Sequence, residues 1–117
     1  MTRLFTLMLF AAAASAQTPE GNAAKGKELY LNNSCYACHG FSGQNGPGAR
    51  LVPMKTPQAA FIAYVRNPPR PNQMPSYSPK VLPDAAMADI YAYIKSLPDS
   101  APPVKSIPLL NQITDQK

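Results

Sequence analysis

The sequence is poor in residues that bind metals, with two cysteines and one histidine among 117 residues. A structural zinc site uses four nitrogen or sulfur ligands, usually as two pairs, and this sequence has no second pair. It also lacks a G-x-G-x-x-G or other phosphate-binding loop, so a nucleotide cofactor is not indicated. No βαβ pattern accompanies the cysteines, which disfavours a thioredoxin-type redox pair.

Charged residues are also sparse. Eleven lysines and arginines and six acidic residues give a net charge of +5. The basic residues do not occur in runs, and the four phenylalanines and six tyrosines are spread along the chain, so nucleic-acid binding is disfavoured. A mildly basic protein of this size favours protein partners with an acidic docking surface.

Long hydrophobic runs are absent as well. The longest mainly apolar stretch covers residues 4–14, well short of the ~20 residues of a membrane-spanning helix. Arg3 precedes this stretch and Ala14-Ser15-Ala16 follows it, which is the pattern of a secretory signal peptide and its cleavage site. We therefore expect residues 1–16 to be a signal peptide, and the mature chain to reach the periplasm without a transmembrane segment.

Both cysteines and the histidine lie in one motif, C-Y-A-C-H-G, at residues 35–40. Two cysteines three apart and followed at once by histidine are typical of covalent haem attachment. One helical turn would put Cys35 and Cys38 on the same side, where each can form a thioether to one haem vinyl group. His39 could then ligate the iron. A disulfide and a zinc site remain the alternatives.

Shorter motifs flank the haem motif in a characteristic order: Gly26-x-x-x-Tyr30, Cys35–His39, Gly46-Pro47, Arg66-Asn67-Pro68, Met74-Pro75 and Tyr91-Ala92-Tyr93-Ile94. With this order, residues 20–98 resemble the small monohaem class I cytochromes c of bacteria. The resemblance implies an all-α fold, in which helices and loops wrap around one covalently attached haem c. It also implies electron transfer rather than enzymatic catalysis.

The resemblance further implies the surroundings of the iron. In the family, a proline carbonyl faces the free nitrogen of the ligand histidine, and Pro47 matches that proline, although this sequence departs from the commoner Gly-Pro-x-Leu pattern. Met74 lies where the family carries its second axial ligand, and a sulfur ligand opposite histidine is typical of electron carriers. Met54 remains an alternative, whereas Met87 falls in a helical stripe and is expected in the core.

Three helices are predicted besides the haem motif. Asn22 is expected to cap the first, and the resemblance implies that the face carrying Gly26 crosses the last helix. Thr56 and Pro57 should open the middle helix, with threonine as the cap and proline in the first helical position. The last helix is expected to begin at residue 83 or 84 and to end near residue 97.

The chain thus divides into a signal peptide at residues 1–16, a cytochrome c domain at 17–97 and a proline-containing tail at 98–117. Nine of the fourteen prolines lie from Pro47 to Pro83. The segment between the middle and last helices, with Pro68-Pro69-Arg70-Pro71 and Met74-Pro75, is predicted to be a stiff loop over the second face of the haem. The tail has no hydrophobic periodicity, and we expect it to be poorly ordered, although residues 107–110 could dock. Arg66 and Arg70 are candidate partners for a haem propionate.

Three functions are compatible with these patterns. The first is a periplasmic one-electron carrier with a His39/Met74-ligated haem, working as a monomer between redox proteins. The second is a dedicated cytochrome c subunit of a periplasmic dehydrogenase or oxidase complex. The third, a haem-based ligand sensor, requires an open axial position. A peroxidase is disfavoured because no second histidine is available as a distal acid or base.

Overall fold

All regular structure in the described part of the chain is helical, which confirms the predicted all-α class. The computed structural model describes residues 19–101 and 103–114, so the expected signal peptide at 1–16 lies outside the described residues. None of the helices described is long and apolar enough to cross a membrane. The helices are α1 (Ala23–Asn32), α2 (Cys35–His39), α3 (Gln58–Arg66), α4 (Asp84–Ser96) and α5 (Pro108–Thr114), with a 3-10 turn at Val104–Ser106.

Asn22 caps α1, as the sequence predicts. Its side-chain oxygen accepts a hydrogen bond from the Lys25 amide at 3.0 Å, which satisfies one of the unpaired N–H groups at the helix start. The Asn22 amide donates to Oδ1 of Asp89 on α4 at 2.6 Å. The cap therefore fixes both the beginning of α1 and its position against α4.

Helices α1 and α4 cross in close contact at a glycine. A Cβ atom on Gly26 would overlap the Asp89 carbonyl of α4. One turn further along α1, the fully buried ring of Tyr30 packs edge-on against Tyr93, with ring centroids 5.4 Å apart. The Tyr30 hydroxyl donates to the Gly40 carbonyl at 2.7 Å. The implied crossing at Gly26 is confirmed, and Tyr30 connects it to the end of α2.

Substitution of Gly26 by alanine tests this crossing, because the higher helix propensity of alanine would stabilise the protein, whereas its side chain would clash with α4. Alanine favours a helix by about 1 kcal/mol relative to glycine, but its Cβ would force the backbone of α4 to move. We expect Gly26→Ala to lower the free energy of unfolding by about 1–3 kcal/mol, the usual cost of overpacking. Denaturant titration of the holoprotein measures this change.

The control is Ala24→Gly on the exposed side of α1. It should cost about 1 kcal/mol through helix propensity alone. If Gly26→Ala stabilised the protein, α1 and α4 would not be in close backbone contact.

Helix α4 supplies more of the buried core residues than any other described helix. Its buried residues are Met87, Ala88, Ile90, Tyr93 and Ile94. Phe61 and Val65 of α3 belong to the same cluster. Helix α3 begins one residue later than predicted, because Pro57 occupies the N-cap position rather than the first helical position. No side chain forms a capping hydrogen bond at this end. The carbonyl of Thr56, the predicted cap, accepts a hydrogen bond from the Tyr91 hydroxyl at 2.8 Å.

The C-terminal segment has more regular structure than the sequence suggests. Helix α4 ends at Ser96, and the 3-10 turn and α5 follow it. Of the described helical elements, α5 contacts only the 3-10 turn. Sequence analysis did not predict a helix at residues 108–114. Pro108 occupies the first position of α5, where a missing backbone N–H costs nothing, so this proline is compatible with a helix.

Candidate haem site

Helix α2 carries both cysteines and the histidine. It spans Cys35–His39, follows Ser34 in the left-handed conformation (φ 57°) and ends at Gly40 (φ 73°). Cys35 and Cys38 are half-buried free thiols, and three residues of helix are close to one full turn. The two thiols therefore lie on the same side of α2, as attachment to one haem requires. The structure forms no disulfide between them.

The zinc alternative is not supported either. Among the residues described, no three His, Cys, Asp or Glu side chains form a group that could hold a metal ion. Burial raises the pKa of the Cys35 thiol, and a backbone hydrogen bond only partly opposes this effect. Two cysteines and one histidine supply at most three of the four ligands of a structural zinc site.

The loop that follows α2 orients the His39 ring. The Nδ1 atom of His39 lies 2.7 Å from the carbonyl oxygen of Ala49. When Nδ1 carries the proton and donates this bond, the lone pair of Nε2 is free to bind a metal. The Gly48 amide donates to the Cys38 carbonyl at 2.6 Å, and a Cβ on Gly48 would lie only 2.9 Å from Nδ1 of His39. Glycine at position 48 thus lets the loop backbone approach the ring.

The carbonyl that supports His39 belongs to Ala49, which corrects the prediction of Pro47. Pro47 is exposed and lies two residues earlier in the loop. The segment Gly48-Ala49-Arg50-Leu51 has the spacing of the family's Gly-Pro-x-Leu pattern, with alanine in place of proline. Because the acceptor is a backbone carbonyl, alanine can supply it as well as proline can. The sequence thus contained a signal for Ala49, which the match of Pro47 to the family proline obscured.

Arg50 connects this loop to the residues that follow α4. Its Nε donates to the Val52 carbonyl at 2.6 Å, and its Nη2 donates to side-chain oxygens of Gln44 and Asp99, both at 3.1 Å. The Gln44 amide group in turn donates to the Pro98 carbonyl at 2.7 Å. Sequence analysis missed this set, because its members belong to no motif and the bonds join residues up to 54 positions apart.

Three methionines of the expected mature chain could supply the second axial ligand. Met87 is 1% exposed within α4 and lies in the core, as expected. Met54 and Met74 are both half-buried, and both pack against the same apolar core. Their burial alone does not separate them, so Met74 remains the ligand predicted by the order of the motifs.

Tyr77 links the loop that carries Met74 to the haem motif. Its hydroxyl donates to the Asn33 carbonyl at the end of α1, at 3.2 Å. Burial raises the pKa of Tyr77, and electrostatic interactions with Cys35 and Cys38 raise it further. The Tyr77 hydroxyl therefore connects the loop carrying Met74 to the end of α1, two residues before Cys35.

These residues fit a covalently bound haem. Cys35 and Cys38 present two thiols from one helical turn, and His39 presents Nε2 with its other nitrogen already bonded. Apolar side chains at the edge of the core are left only partly buried, and a bound macrocycle would complete their burial. They include Leu51, Met54, Ile62, Met74 and Tyr77.

Comparison with known protein families identifies the domain. Residues 21–94, more than half of the chain, match the family model described as cytochrome C oxidase, cbb3-type, subunit III. The matched range includes the C-x-x-C-H motif, Met54 and Met74. Neither the curated proteins nor the solved structures gave a match. The chain therefore belongs to this family of c-type cytochrome domains, whose all-α class I fold serves haem-based electron transfer.

Proposed function

We propose that this protein is a periplasmic one-electron carrier with one haem c, attached through Cys35 and Cys38 and ligated by His39 and Met74. The observation that carries the proposal is the 2.7 Å contact between His39 Nδ1 and the Ala49 carbonyl. This contact orients the imidazole and leaves Nε2 for the iron. When bound, the haem supplies an iron centre that cycles between the ferric and ferrous states. The pattern of a signal peptide at residues 1–16 supports the periplasmic location.

Met74 completes the proposed ligand set. A thioether opposite histidine raises the reduction potential and is typical of electron-carrying cytochromes. With both axial positions filled, no substrate has access to the metal, and the sequence offers no second histidine as a distal acid or base. The domain's own residues then hold the two ligands and exclude water, so the protein is a carrier rather than an enzyme.

Potentiometric titration of the purified holoprotein tests this proposal. We expect one haem per chain and one reversible step that fits a single-electron curve. The reduced protein should not bind carbon monoxide, because Met74 occupies the position where it would bind. A second redox step, or ready binding of carbon monoxide, would instead favour a haem-based ligand sensor or a multihaem assembly.

A dedicated subunit of a periplasmic dehydrogenase or oxidase complex is the second candidate. Helix α5 favours it, because Leu109 and Ile113 expose about two thirds of their surface and α5 contacts none of the described α-helices. A short apolar helix outside the cytochrome domain could bind a larger subunit.

Salt dependence separates these two candidates. Removal of the expected signal peptide, which contains Arg3, leaves the polypeptide with a net charge of +4 before the haem propionates are counted. Attraction to an opposite charge mainly raises the association rate, and salt shortens the Debye length from ~10 Å at 0.1 M to ~3 Å at 1 M. We expect the bimolecular rate of electron transfer with a redox partner that has an acidic docking surface to fall about tenfold between low and high salt. Stopped-flow mixing of the reduced protein with such a partner measures this rate.

Deletion of residues 108–117 is the matched control. In a free carrier the deletion should leave the dependence of the electron-transfer rate on ionic strength unchanged, since the exposed charges of the cytochrome domain remain. A rate that is flat with ionic strength, together with a co-purifying protein that is lost on deletion, would favour the fixed subunit.

A further inference from the structure

The loop that carries Met74 is anchored on both sides of the methionine. On the N-terminal side, the amides of Gln73 and Met74 donate to the Arg70 carbonyl, both at 3.0 Å. On the C-terminal side, the Tyr77 amide donates to the Val65 carbonyl of α3 at 3.2 Å. The second anchor attaches the loop to a helix, whereas the first lies within the loop itself.

Arg66 reinforces the anchor at Tyr77. Its Nη1 donates to the Tyr77 carbonyl at 2.8 Å, and its Nη2 donates to Oδ1 of Asp84 at 2.6 Å. The side chain of Arg66 is only 12% exposed, whereas that of Asp84 is 70% exposed. Arg66 therefore connects three elements: α3, to which it belongs, the Met74 loop and the first residue of α4.

The strength of this anchor comes from the largely buried guanidinium. A hydrogen bond from a charged donor is stronger than one between neutral groups. The ion pair with the exposed Asp84 contributes little by itself, but it fixes the guanidinium plane so that Nη1 points at the Tyr77 carbonyl. The N–H and the C=O of Tyr77 are both bonded to α3, through Val65 and Arg66. Tyr77 cannot move away from α3 without breaking both bonds.

We propose that Arg66 is a positioning residue for the second axial ligand: it holds Tyr77 on α3 and so keeps the Met74 side chain against the haem site. This inference rests on the proposed ligation by Met74. Sequence analysis considered Arg66 as a partner for a haem propionate, and the structure adds the contacts of its Nη1 and Nη2 groups with Tyr77 and Asp84. Arg70, the other candidate, is exposed in the same loop.

Imidazole binding to the ferric holoprotein tests the proposal. Imidazole can replace a weak axial ligand only when the loop opens, so its apparent affinity reports the population of open loop. We expect Arg66→Gln to bind imidazole at least tenfold more tightly than the parent protein, where tenfold corresponds to about 1.4 kcal/mol. Hydrogen exchange at the Met74 and Tyr77 amides should accelerate by a similar factor. Exchange at Ile90, in the core of α4, should stay at the parental rate.

Two further variants define the control. Lys80→Gln removes one positive charge from the exposed segment between the Met74 loop and α4, and both measurements should keep their parental values. Arg66→Lys keeps a cation near Asp84 but lacks the planar fork that reaches two acceptors, so its values should fall between those of the parent and Arg66→Gln. If Arg66→Gln and Lys80→Gln behaved alike, or if exchange at Ile90 accelerated equally, the proposal would be overturned.

The same experiment separates this proposal from the ligation on which it rests. If exchange at Tyr77 accelerates in Arg66→Gln while imidazole affinity is unchanged, Arg66 anchors the loop without positioning an axial ligand, and the proposal fails. Met74→Ala in the same assay then shows whether Met74 is the ligand. A large gain in imidazole affinity would support ligation of the iron by Met74, whereas no gain would show that Met74 is not the ligand.

Discussion

Acid–organic extraction of the holoprotein is expected to leave the haem on the polypeptide. Acid releases a coordinated histidine by protonating its imidazole, but it does not break the thioethers proposed at Cys35 and Cys38. The expectation rests on two free thiols on one turn of α2. Absorbance of haem in the protein precipitate and in the organic phase measures the result.

Loss of either cysteine should affect the whole domain. Residues 17–97 form a short chain, and chains of this length bury a small share of their surface and have marginal cores. The haem supplies much of the missing apolar volume, and the side chains at the core edge are only partly buried without it. We expect Cys35→Ala or Cys38→Ala to reduce the yield of stable holoprotein about tenfold or more. A tenfold reduction requires a loss of only ~1.4 kcal/mol of stabilising free energy.

The matched control is Ala37→Ser, between the two cysteines. Ala37 is exposed on α2, so serine there should leave the yield and the extraction result unchanged. Haem that passes freely into the organic phase from the parent protein would show that the attachment is not covalent.

The features that sequence analysis predicted correctly depend on local patterns. The start of α1 follows from one capping side chain, Asn22, and a helical stretch behind it. The placement of Cys35, Cys38 and His39 on one helical turn follows from their spacing. The close crossing at Gly26 was implied by the family resemblance, and glycine is the residue that permits such an approach.

The features that it missed depend on backbone acceptors and on distant pairs. A carbonyl can come from any residue, so the one that contacts His39 could be assigned to Pro47 when it belongs to Ala49. The contacts of Arg66 with Tyr77 and Asp84 join residues 11 and 18 positions apart, and no motif records them. Sequence therefore identified the residues proposed to bind the haem, while the residues that hold them in place required the structure.

Replacement of Met74 by alanine is expected to open the second axial position. The backbone of Met74 is held by its bond to the Arg70 carbonyl, and Pro75 follows it directly. The long thioether side chain is then the part that can reach the iron. The ferrous form of Met74→Ala should bind carbon monoxide, which the parent protein should not. The reduction potential should fall by a sizeable part of the roughly 0.8 V over which axial ligands tune haem proteins.

Met54→Ala is the matched control, because Met54 is also half-buried against the same core. It removes the same side chain and leaves a similar gap, so a general loosening of the core would appear in both variants. We expect Met54→Ala neither to bind carbon monoxide nor to change the potential by more than a small fraction of the shift in Met74→Ala. If the two variants behaved the other way round, Met54 would be the ligand. If the parent protein bound carbon monoxide readily, the proposal of a carrier with both axial positions filled would be wrong.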